Sequence, residues 1–241
     1  MSFIISVFVN EGIVLASDSR TTYNNTRKNG LETFHNYGVY TTDSTDRTFL
    51  ANQRIGISTC GDASIAGIPI TGYIENYIRQ HISEKTDINA VPESIMKYFK
   101  GFSPVPNVNF IIAGYSKADS GLEQMVYKVR VAGDKIERLE VKGQGATWDG
   151  ETITLTKIIQ PTAIKKPDGG YSDFPHFEIP WGLFTLKDAI GFAKYAVDIT
   201  IQTMRYQLVV ENVGGPVDIL AIKPDGALWI QKKLLNIVLR D

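Results

Sequence analysis

At 241 residues, 43% of them hydrophobic and 21% charged, the chain is long enough for one large domain with a substantial core. Its 25 Lys and Arg against 26 Asp and Glu leave a formal net charge of −1, which supplies no electrostatic footprint for nucleic acid or an anionic membrane surface. A single Cys, Cys60, excludes an internal disulfide, and no apolar run approaches the ~20 residues of a membrane span. With no charged-then-apolar leader at the start, the expected compartment is the cytosol.

Residues 3–9 and 13–17 are rich in β-branched and aromatic types around the turn chemistry of Asn10-Glu11-Gly12, so a hairpin is expected. A tight loop pairs Val9 with Gly12, and the chain start then lands beside Asp18, Ser19 and Arg20. If Met1 is removed, Ser2 carries an amine and a hydroxyl on one residue, base and nucleophile together. The polar stretch 21–45 reads as an irregular excursion with a hairpin through 34–40, returning to a short strand at 48–50. An apolar strand at 55–59 then runs into Cys60-Gly61-Asp62-Ala63, and helical spacing of Ile65, Tyr73, Ile74, Tyr77 and Ile78 follows. That join puts Gly61 at a helix N-terminus, where negative charge is favoured.

A second helix is expected over 88–102, stopped by Gly101, Pro104 and Pro106. Strands at 109–115, 124–131 and 135–141 form a meander that ends in a loop, Lys142-Gly143-Gln144-Gly145-Ala146. Residues 150–179 read as an exposed insertion. Thr185 and Asp188 have capping-box spacing and open a long helix with an apolar stripe of Leu186, Ile190, Ala193, Val197, Ile201 and Met204. Residues 211–222 pass through Gly214-Gly215 into a buried strand, and Pro224-Asp225-Gly226 turns the chain back through Trp229. His35, His81 and His176 show no metal spacing, so no metal or other cofactor is expected.

Ser2 to Arg20 resembles the opening of a proteasome-type β subunit, of the N-terminal nucleophile hydrolase superfamily. There an N-terminal Thr is followed without gaps by a strand, a Gly and an Ala-x-Asp-Ser-Arg ending. Gly12 and Ala16-Ser17-Asp18-Ser19-Arg20 match in register, and counting back from Asp18 to the family's Thr arrives at Ser2. The resemblance runs over nearly the whole chain. It implies a single domain, 1–241, of the α+β class: a four-layer αββα sandwich.

The same resemblance implies Ser2 as nucleophile and base, Asp18 orienting it, Arg47 in place of the family's Lys, and Gly61 in the oxyanion hole. Ser19, Arg20, Gln144 and Glu211 are the supporting candidates. Gln144 stands where the family's loop carries a Ser that assists the amine, while Val210 and Val213 fall where it has polar supports, with Glu211 and Asn212 as neighbours able to substitute. Arg47 is read either as the site's cation or as a surface residue paired with Asp46. Two functions stay open at this point. One is a divergent, bacterial-type N-terminal serine hydrolase cleaving peptide or other amide bonds after loss of Met1; the other is a catalytically inactive proteasome-like scaffold or assembly subunit. A homo-oligomeric ring is implied, with an unnamed ATPase as a possible partner and neither nucleic acid nor membrane.

Overall fold

A computed structural model describes residues 2–29, 32–119 and 121–233, with 24–29 and 32–37 as backbone only. The two apolar runs at the start form β1 (Phe3–Val9) and β2 (Gly12–Ser17), and every residue of both is buried. Val9 faces Gly12 and Ile4 faces Ser17, the register that the short turn dictates. The polar stretch that follows is more regular than its composition implies. It forms β3 (Thr21–Asn29) and β4 (Glu32–Thr42), a hairpin of its own, with the Tyr23 and Tyr40 rings 5.9 Å apart. The few apolar and aromatic residues of β4, Phe34, Tyr37, Val39 and Tyr40, fall at both even and odd positions, so no two-residue alternation announces it.

Next come β5 (Thr48–Asn52) and β6 (Ile55–Gly61). The expected strand-to-helix join is interrupted by a miniature hairpin of β7 (Ser64–Ile65) and β8 (Ile68–Pro69), and α1 (Ile70–His81) starts only then. After α2 (Val91–Lys100) the meander is β9 (Val108–Ala118), β10 (Gly121–Arg130) and β11 (Lys135–Arg138). The expected loop and insertion contain β12 (Gly145–Gly150), α3 (Ile153–Ile159), β13 (Ala163–Lys165) and β14 (Tyr171–Asp173). The long helix is α4 (Leu186–Arg205), and its capping box is formed: Thr185 N–H donates to Asp188 Oδ2 at 2.9 Å and Asp188 N–H to Thr185 Oγ1 at 3.2 Å. A final hairpin, β15 (Asp218–Lys223) and β16 (Gly226–Gln231), closes the described chain.

These strands build two five-stranded sheets, β12-β1-β2-β15-β16 and β11-β10-β9-β6-β5. Because side chains alternate across a strand, each sheet has two faces to cover. Phe3, Ile5, Val7, Val14 and Ala16 pack with Ala189, Ala193 and Val197 of α4 and Leu155 of α3. Ile55, Ile57, Phe110 and Ile112 pack with Ile74 and Tyr77 of α1 and Ile95 and Phe99 of α2. The remaining faces meet each other through Ile4, Phe8, Ile13 and Leu15 on one side and Cys60, Ile111, Ala113 and Val126 on the other. Toward the chain start this shared interior turns polar: Thr48 Oγ1 lies 2.8 Å from Ser17 Oγ and 2.9 Å from Ser58 Oγ. No helix among the described residues is long and apolar enough to cross a membrane.

Candidate active site

The β1–β2 register places Asp18 at the chain start, and the side chain is fully buried. Its Oδ1 accepts the Phe3 N–H at 3.0 Å, while Oδ2 accepts the Arg20 N–H at 3.1 Å and the Gly214 N–H at 3.0 Å. Burial pushes the carboxyl above its ordinary value, against the opposing pull of Arg47 and those three donors. Arg47 is 3% exposed. Its Nε is 3.5 Å from Asp18 Oδ1, close enough for charge attraction but not aligned as a hydrogen bond. Nη2 donates to Thr21 Oγ1 at 2.9 Å and also to the Arg20 carbonyl. The surface reading of Arg47 is therefore corrected: Asp46 pairs instead with Lys233 at 2.8 Å and Lys232 at 3.4 Å. Ser2 is fully buried, its Oγ has no hydrogen-bond partner, and its carbonyl accepts the Glu151 N–H at 2.8 Å. Met1, and with it the expected removal, lies outside the described residues.

Gly61 ends β6 with φ +112°, and a Cβ there would lie 2.3 Å from the Asn107 carbonyl, so the position requires glycine. With α1 beginning only at Ile70, Gly61 does not sit at a helix N-terminus, and no helix dipole acts there. It does share a cleft of about 230 Å³ with Arg47, whose wall also includes Thr21, Thr22, Tyr23 and Ser64. Ser19 Oγ donates to the Pro216 carbonyl at 2.7 Å and so fixes the Gly214-Gly215 loop. Arg20 forks onto Asp43, at 2.7 and 2.9 Å, and reaches Glu211 at 2.7 Å. Glu211 thus braces Arg20, two residues on from Asp18, and supports the chain start only indirectly. Gln144 does not join the group. It precedes Gly145, the partner of Phe8, at the far end of β1; the strand rise of ~3.3 Å per residue separates it from Ser2 by roughly 20 Å.

No protein-family model matches the chain, and no curated protein does. Among solved structures, Anbu from Hyphomicrobium sp. strain MC1 matches with a TM-score of 0.59 at 12% sequence identity, over 95% of this chain and 87% of that one. The fold is proteasome-like. At that identity the likeness concerns backbone architecture, and side-chain roles rest on the geometry of this chain alone.

Within the proteasome-like frame, the segment that meets Ser2 from the β12 side is Asp149-Gly150-Glu151, which the sequence reading passed over. Gly150, at φ +90°, faces Phe3, and a Cβ there would lie 1.8 Å from the Ser2 carbonyl oxygen. We expect Gly150→Ala to lower unfolding free energy by more than ~2 kcal/mol, since it adds a backbone clash to a left-handed conformation. Gly143→Ala, where an added Cβ meets nothing within 4 Å, should change it by less than about 0.5 kcal/mol. Urea unfolding of both variants tests this, and equal losses would contradict it. Reasoning from sequence also missed Lys233, which is 4% exposed and bonds Asp218, itself fully buried at the start of β15. A lone carboxylate in the apolar run Val217-Asp218-Ile219-Leu220 was the available signal, because a buried charge demands a partner.

Proposed function

We propose that the protein is an N-terminal serine hydrolase that cleaves peptide or other amide bonds once Met1 is removed. In this reading it is a single domain, 1–241, with two sheets face to face and helices outside both, a four-layer αββα sandwich. The observation that carries the proposal is the buried carboxylate of Asp18. It binds the N–H of the residue after Ser2 while Arg47 lies against it and Gly61 shares the Arg47 cleft.

In the reaction so proposed, the Ser2 Oγ–H bond breaks as Oγ bonds to the substrate carbonyl carbon, and the proton passes to the Ser2 α-amine. An α-amine titrates near ~7.7, so much of it is a free base at neutral pH, and the Arg47 charge disfavours its protonated form further. The C–N bond then breaks and the leaving amine takes that proton. Water, deprotonated by the same α-amine, attacks the ester and releases the acid with Ser2 restored. Backbone N–H groups at Gly61 are the candidates for holding the oxyanion. A homo-oligomeric ring in the cytosol belongs to the same proposal, as does an ATPase partner.

A second reading, an inactive proteasome-like scaffold, is favoured by the complete burial of Ser2 and by buried Val213 where the family has a polar support. Fluorogenic peptide amides distinguish the two. Turnover by protein beginning at Ser2, lost in Ser2→Ala, supports the hydrolase, and no turnover or probe acylation by correctly trimmed protein supports the scaffold.

A further inference from the structure

The β12 register brings a second pair of opposite charges to Ser2, from the side away from Asp18. Asp149 lies directly opposite Ile4, so both side chains point into the space between the sheets, where Ile4 packs. Ser2 precedes Ile4 by two positions and shares that face, which makes Asp149 its diagonal cross-strand neighbour, a spacing of about 7–8 Å. Across the interior, Lys128 follows Val126 of the same face by two positions, and its Nζ is 3.6 Å from Asp149 Oδ2. Both side chains are 13% exposed. Lys128 Nζ also donates to the Trp148 carbonyl at 2.9 Å, Asn109 Nδ2 donates to Asp149 Oδ1 at 3.2 Å, and the Gly150 N–H donates to the same oxygen at 2.8 Å. A carboxylate this well held, bridging β12 to β9 and β10, is fixed in position.

We infer that Asp149 and Lys128 form a positioning pair that sets the charge state and orientation of the Ser2 amine. The inference rests on the reading of Ser2 as the N-terminal residue. Other charged or titratable groups face the same region: Glu151, which follows Gly150 and whose N–H bonds the Ser2 carbonyl, Asp18 beside β1 and Arg47 from the loop before β5, then Cys60 from β6 and Arg130 from β10. Arg130 Nε lies 3.8 Å from Asp149 Oδ2. Asp218 and Lys233 lie beyond β2. Cys60 is a buried thiol pushed well up by desolvation, with Asp149 adding to the shift and Arg47 and Lys128 opposing it, and its Cβ lies 3.4 Å from where a Cβ on Gly150 would stand. Arg47 on one flank and Lys128 on the other destabilise an ammonium between them. Asp18 and Asp149 stabilise it.

The opposite signs make the pair testable without assuming catalysis. The protein, confirmed by intact mass to begin at Ser2, is labelled with ¹³C-serine, and the Ser2 amine is titrated by NMR in wild type, Asp149→Asn, Asp149→Glu and Lys128→Met. Acylation by an N-terminal-nucleophile probe is followed over the same pH range. Removing the carboxylate should lower the amine pKa by about half a unit to one unit, removing the ammonium should raise it by a similar amount, and Asp149→Glu should stay near wild type. A purely structural pair would move neither titration. If the amine does not respond to Asp149→Asn or Lys128→Met while wild type is acylated, the inference is overturned and the hydrolase reading survives. If the titrations shift in opposite directions but wild type is never acylated, the pair stands and the hydrolase reading falls.

Discussion

Asp18→Ala is expected to lower unfolding free energy by about 3–5 kcal/mol and to abolish acylation of Ser2. The substitution leaves the Phe3, Arg20 and Gly214 N–H groups without their acceptor at a buried position, and each unsatisfied donor costs roughly 1–3 kcal/mol before water or rearrangement recovers part of it. It also removes the only carboxylate against Arg47 among the described residues. Asp18→Asn should cost less, because it keeps one acceptor and does not bury a charge. The pH dependence follows from the direction of the shift. Burial raises the folded-state pKa above the ordinary carboxylate value, so the folded chain holds the proton more tightly than the unfolded one. Wild-type stability from this group is therefore fully present below about 3.8 and declines as pH rises toward the folded value. Asn has no such slope, so the gap between wild type and Asp18→Asn should narrow as pH rises above about 4. Urea unfolding at several pH values measures both effects; an Asp18→Ala variant within about 1 kcal/mol of wild type would show that these bonds do not hold the site.

The second large effect is expected at Lys233. Its ammonium bonds Asp218 and lies 2.8 Å from Asp46, joining the end of the last hairpin to the loop that carries Arg47. Lys233→Met leaves Asp218 as a fully buried carboxylate whose one remaining donor among the described residues is the Lys233 backbone N–H, at 2.8 Å. Removing one member of a buried pair costs about 3–5 kcal/mol, whereas replacing both is often close to neutral. Asp218→Asn combined with Lys233→Met should therefore be more stable than Lys233→Met alone. Thermal and urea unfolding of Asp218→Asn, Lys233→Met and the double variant decide it, and additive losses would contradict the pairing.

Which parts of this architecture were legible in sequence depends on how locally they are encoded. The β1–β2 register was readable because a tight turn and two apolar runs leave no other pairing, and the Thr185–Asp188 cap was readable because its partners are three residues apart. Asp18 followed from both. Arg47 could not be assigned from sequence, since its choice between Asp46 and Asp18 is decided by how β5 enters the second sheet. β12 was hidden by its composition: Gly145, Asp149 and Gly150 read as a loop, and only the partner strand β1 makes them extended. Placing the supporting residue at Gln144 was the consequence. The small β7–β8 hairpin likewise separates Gly61 from α1, although a Gly before helical spacing reads as a direct junction.

The central claim is that Ser2 becomes the N-terminal residue and reacts through its own oxygen. Intact mass spectrometry of protein isolated from its native host, before and after exposure to an N-terminal-nucleophile probe, tests this directly. The account predicts a mass that begins at Ser2, a single added probe mass, and no addition in Ser2→Ala. Retention of Met1, or an adduct that persists in Ser2→Ala, would contradict it.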